Sequence, residues 1–134
     1  MPLLNASVVT TPTSITVSGG TALAFSQSGQ VQNGVVLTPV GDTDFRTRRR
    51  ITCKIQHPKT LASAPNGYSQ ARCNAEFTVP IILANGRYTF NAISVQLRYD
   101  VETSDVQKQA LLDMAAQMII DSDFSAFWKA QSLG

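Results

Sequence analysis

The sequence predicts an α+β protein: an N-terminal β-hairpin, an antiparallel sheet, and two α-helices at the C-terminal end. Three observations predict it. The segments Arg50 to Gln56, Arg72 to Val79 and Tyr88 to Tyr99 alternate polar and apolar residues with a period of two. Apolar residues recur at helical spacing only after Ser104. The 134 residues, 43% of them hydrophobic, suffice for about one globular domain, taken here as 1–134.

The front of the chain reads as short strands. Ala6 to Thr10 and Ser14 to Val17 flank the turn signal Thr-Pro-Thr and form the predicted hairpin. Ser18-Gly19-Gly20 breaks the chain, and Thr21 to Phe25 is a further strand candidate. Asn33-Gly34 marks a tight turn into a strand starting at Val35, and Pro39 to Asp44 is a loop.

In the middle of the chain, Arg50, Thr52, Lys54 and Gln56 point one way, and Ile51, Cys53 and Ile55 the other. His57 to Gly67 is a long loop with two prolines. Arg72, Asn74, Glu76 and Thr78 then face away from Cys73, Ala75, Phe77 and Val79. Pro80 and Asn85-Gly86 bracket a short connection. On the last strand, Ile93, Val95, Leu97 and Tyr99 oppose Ala92, Ser94, Gln96 and Arg98, with Tyr88 and Phe90 sharing the latter parity. Such strands make a sheet with one apolar and one polar face.

Ser104-Asp105 is a helix N-cap with an acid in the first turn. Val106, Ala110, Leu111, Met114, Ala115, Met118 and Ile119 trace the first helix, and Asp121-Ser122-Asp123 starts a second. Phe124, Phe127 and Trp128 form a packing face, either within the chain or across a second subunit.

Charge is segregated. Residues 1–41 carry none, Phe45 to Arg98 holds nine basic residues and one acid, and six acids with two lysines follow from Tyr99. The net charge of +2 hides a concentrated positive field in the middle, which suits a polyanion. Arg46-x-Arg48-Arg49-Arg50 alone reads as a solvated run. Beside a face carrying Arg50, Lys54, Arg72, Arg98, Tyr88 and Phe90, it points to RNA: cations neutralise phosphates and exposed rings stack on unpaired bases.

Other chemistry finds little support. His57 has no accompanying nucleophile or orienting acid, so an exposed histidine is favoured over a general base. Two cysteines and one histidine give no metal site, and no glycine-rich phosphate loop or other cofactor motif appears. Cys53 and Cys73 read as small core hydrophobes of matching parity, placed across from one another and kept reduced in a cytosol. No apolar run of about 18 residues crosses a membrane, and the first residues lack a signal-peptide pattern.

The element order, with Asn33-Gly34-Val35, Arg50-Ile51-Thr52-Cys53-Lys54-Ile55 and Phe77-Thr78-Val79-Pro80, resembles the coat proteins of small single-stranded RNA bacteriophages, the leviviruses. The resemblance spans nearly the whole chain. It implies an intertwined homodimer in which the helices lie across the partner's sheet, through Leu111, Met114, Met118, Phe124, Phe127 and Trp128. It further implies an icosahedral shell, a virion assembled in the bacterial cytoplasm, and an inner sheet face that packages the genome and represses translation by binding a stem-loop. The residues it carries over to RNA are Val35, Arg50, Thr52, Lys54, Asn74, Glu76, Phe90 and Ala92. Gln56, Arg72 and Ser94 join them by face. Glu76 stands where the family has a lysine, Phe90 where it has a tyrosine, and Ala92 where it has an asparagine. The loop at Pro80 to Arg87 is shorter than the family's, and the loop at His57 to Gly67 longer. The function expected is a capsid protein without enzymatic activity, a small-molecule substrate or a membrane. A non-assembling RNA-binding domain is the alternative, and a small enzyme with a pocket under the helices a weaker one.

Overall fold

The computed structural model describes Ser7, Val8, Gly20 and residues 22–133. The strands expected at 6–10 and 14–17 lie outside the described residues, apart from Ser7 and Val8, which are in neither strand nor helix. Two compact units are formed. One is the sheet, residues 20–101, and the other holds the helices, residues 102–134 with 1–19.

The sheet is an antiparallel meander of five strands in chain order: β1 (Phe25–Val31), β2 (Gly34–Pro39), β3 (Arg50–Gln56), β4 (Ala71–Ile82) and β5 (Tyr88–Tyr99). The boundaries of β3 and β5 are those the alternation predicts. The strand candidate at Thr21 to Phe25 is corrected. Ala22 to Ala24 are not in a strand, and β1 begins at Phe25. Its sequence, Phe-Ser-Gln-Ser-Gly-Gln-Val, has little strand propensity and a bulge between Gln27 and Gly29. Ladder pairing with β2 overrides that weak local preference.

Asn33 adopts φ 63°, and its carbonyl accepts the Ile55 amide at 2.9 Å. Asparagine tolerates this left-handed conformation. Gly34 is needed for a different reason. A Cβ there would collide with the Cys53 carbonyl oxygen and lie 3.0 Å from Lys54 Cα. The turn therefore fixes Gly34 opposite Lys54, and with it the register of β2 on β3.

β4 runs three residues past its expected end, through Pro80. The Leu83 amide donates to the Arg87 carbonyl at 2.8 Å, so by alternation residues 81 and 79 bond to β5. Pro80 then turns its nitrogen to the other flank, where β3 pairing ends at Arg50 opposite Thr78. The missing N–H costs no ladder bond.

The register separates the faces as expected. Leu37, Ile51, Cys53, Ala75, Phe77, Val95 and Leu97 share the apolar one, and Phe25 meets Phe77 edge-on at 6.4 Å. Cys53 and Cys73 share it too, but not as neighbours directly across. Cys53 pairs with Ala75, and Cys73 with Ile55. Both thiols are free.

In the second unit, α1 (Asp105–Ile120) opens on a capping box. The Ser104 amide donates to Gln107 Oε1 at 2.9 Å, and the Gln107 amide to Ser104 Oγ at 3.3 Å. Asp121 ends α1 and caps a 3₁₀ turn at Ser122–Phe124, which leads into α2 (Ser125–Ala130). The Trp128 indole donates to the Met118 carbonyl at 2.7 Å and meets Phe127 edge-on at 4.8 Å, tying α2 to the end of α1.

Among the described residues only Thr38, Pro39, Ala71 and Thr78 are buried. Ile55 and Ile93 on the apolar face are 49% and 43% exposed, and no residue of α1 is buried. On α1, Leu111, Leu112, Met118, Ile119 and Ile120 are all in contact with water.

Candidate nucleic-acid interface

The polar face is built by pairing across three strands. Arg50 pairs with Thr78, Thr52 with Glu76, Lys54 with Asn74, and Gln56 with Arg72. On β5, Ala92, Ser94, Gln96 and Arg98 stand opposite Thr78, Glu76, Asn74 and Arg72. Phe90, opposite Pro80, and Tyr88, opposite Ile82, complete the face at 43% and 54% exposed.

The register thus brings together ten of the eleven expected RNA-facing residues: Arg50, Thr52, Lys54, Gln56, Arg72, Asn74, Glu76, Phe90, Ala92 and Ser94. Val35 is the exception. It pairs with Cys53 and stands on the apolar face; Val36, opposite Thr52, takes the position on the polar side. The clash that forces Gly34 opposite Lys54 sets this parity.

Three arrangements concern chemistry. The Arg50 guanidinium lies 5.6 Å from the Phe90 ring centroid, a cation–π contact reaching diagonally across β4. Arg72 and Arg98 stand directly opposite each other, and like charges so placed destabilise a ladder unless an anion lies near. No carboxylate among the described residues is in ion-pair distance of Arg50, Lys54, Arg72 or Arg98. Finally, Asn74 Oδ1 is buried without a hydrogen-bond partner, an arrangement that costs about 1–3 kcal/mol until something satisfies it.

Lys54, Asn74 and Arg72 line an open groove of about 980 Å³ with Gln96, His57 and Lys59. Sequence reasoning left the last three out of the site. A signal for Gln96 was present. Counting back from the Asn85-Gly86 turn puts Gln96 opposite Asn74.

The arginine run is less free than its sequence suggests. Arg49 donates through Nε and Nη2 to the two Asp42 oxygens at 3.0 and 3.1 Å, and its amide donates to Oδ2 at 3.0 Å. These hydrogen bonds hold the Asp42 carboxyl below its ordinary value and raise Arg49. Asp44 is lowered the same way, first by the Arg46 amide and then by its side chain. Arg48 stacks over Phe45 at 4.5 Å. Arg46 and Arg49 are thus locally compensated, whereas the sheet-face cations have only Glu76 on their face and none of them is ion-paired with it.

No family model and no curated protein matches the chain. The structure is similar to a solved chain described as a virus-like particle of bacteriophage GQ-907. The TM-score is 0.87 and the sequence identity 30%, covering 98% of this chain and 98% of that one. The chain belongs to the levivirus-type bacteriophage coat proteins. For a coat protein, the five-stranded sheet followed by two C-terminal helices is the expected fold, and the role is that of a capsid component.

Proposed function

We propose that this coat protein dimerises, closes into an icosahedral shell and holds single-stranded RNA against the polar sheet face. The assembly reading is supported by the similarity to a virus-like particle and by the apolar surface each unit exposes. In the proposed dimer, Leu111, Met114, Met118, Phe124, Phe127 and Trp128 pack on the partner's sheet, and residues 1–134 make one domain sharing that core. Among the described residues no strand pairs the outer side of β5, which leaves it open to a second sheet.

The observation that carries the RNA reading is the uncompensated pair Arg72 and Arg98 beside Lys54 and Arg50. A phosphate backbone relieves their repulsion, and Phe90 stacks on an unpaired base. Binding a stem-loop in this way selects the genome for packaging into the virion and blocks translation across it.

Expression of the chain alone tests the proposal. The expected product is closed particles containing host RNA, visible by electron microscopy and by absorbance at nucleic-acid wavelengths. A monodisperse monomer overturns assembly; a small species that binds RNA is the non-assembling alternative; empty particles overturn the RNA reading alone.

A further inference from the structure

The single histidine of the chain sits at the loop end of the cationic groove. It also lines the adjoining hollow of about 260 Å³. The titratable or charged groups lining the two, besides His57, are Cys53 and Lys54 on β3, Lys59 in the following loop, Arg72 and Cys73 on β4, and Tyr99 on β5. No carboxylate lines either. His57 is exposed and reaches water directly.

We propose that His57, with Lys59, extends the phosphate contact beyond the sheet face and makes the grip on RNA pH-sensitive. This rests on the RNA reading above. Imidazole is the side chain whose ordinary titration falls between about pH 5 and 8. Its protonated form adds a cation where three already converge and where no acid competes for it. A polyanion filling the groove attracts that charge. RNA and protons therefore bind cooperatively, each favouring the other. Neutral pH loosens the end of the RNA at the His57 loop while Arg50, Lys54 and Phe90 keep their hold on the sheet.

The test measures affinity of the full chain for a 5′-hydroxyl RNA hairpin against salt, at about pH 7.5 and about pH 5.5, either side of the ordinary histidine value of about 6.5. Wild-type protein should bind about two- to fivefold tighter at the lower pH, as for an exposed ion pair. Its salt slope should steepen by about 0.7–0.9, one further counterion released. His57→Gln should match the wild type at the higher pH and lose the gain at the lower. His57→Lys should bind at the higher pH as the wild type does at the lower. If His57→Gln keeps the full pH response, the proposal is overturned while the RNA reading stands. If the wild type binds no RNA at either pH, both fall.

Discussion

Arg50 lies over Phe90, its guanidinium 5.6 Å from the ring centroid, although forty residues of sequence and the whole of β4 separate them. The cation shields one side of an aromatic ring that the fold leaves in water. A base stacking on Phe90 must share or displace it.

Two mutant signatures follow from that contact. Arg50→Ala with Lys54→Ala should weaken binding to every RNA and lower the salt slope by up to about 0.7–0.9 per lost contact. Phe90→Ala should leave the slope almost unchanged and cost about 1–3 kcal/mol for a hairpin with an unpaired base, with little effect on a scrambled strand. Salt titrations on both RNAs check this; an unaltered double mutant moves the site off the sheet face.

Gly34→Ala should destabilise the protein by about 1–3 kcal/mol, because a methyl group there meets β3 backbone with no flexible side chain to give way. Particle melting temperature and yield are the readouts. Gly29→Ala, where the added carbon meets nothing within 4 Å, is the control and should melt close to the wild type.

The loop of residues 42–49 should respond to acid. Asp42 is held below its ordinary value by Arg49, so the loop's stabilisation is complete above about pH 4, the unfolded carboxyl value, and disappears as pH falls through the lowered folded value. Hydrogen-exchange protection of the Arg49 amide, corrected for intrinsic rate, should fall in that range. Asp42→Asn should abolish the dependence; an unchanged profile in that variant assigns it to Asp44.

Cys53 and Cys73 should titrate as two free thiols per chain under non-reducing denaturation. They are diagonal across β3 and β4, about 7–8 Å between Cα atoms for such a pair, beyond the reach of an unstrained disulfide. A quantitative disulfide in intact particles contradicts this register.

Much of the fold was legible because its signals are local. Period-two alternation marked β3 and β5 to the residue, and Ser104 with Gln107 marked the start of α1. What local signals did not reveal depends on pairing. β1 is a polar strand held by its neighbour, and Pro80 sits inside β4 only because β3 ends early. Val35 lies on the apolar face, and the cysteines are offset by two residues, because register is a relation between strands. The candidate site divides likewise. Alternation found its cations, whereas the compensation of Arg46 and Arg49 by preceding acids, and the groove reaching His57 and Lys59, exist only once the chain is folded.

Each strand of the sheet pairs with the next one made, from β1 through β5. Such a meander pairs only chain neighbours, so the sheet can be complete before the last helix leaves the ribosome. What remains slow is meeting another copy, a bimolecular step whose rate climbs with the amount of protein present. Shell formation is then timed by synthesis level: sparse subunits stay dispersed, and abundant ones commit to closure.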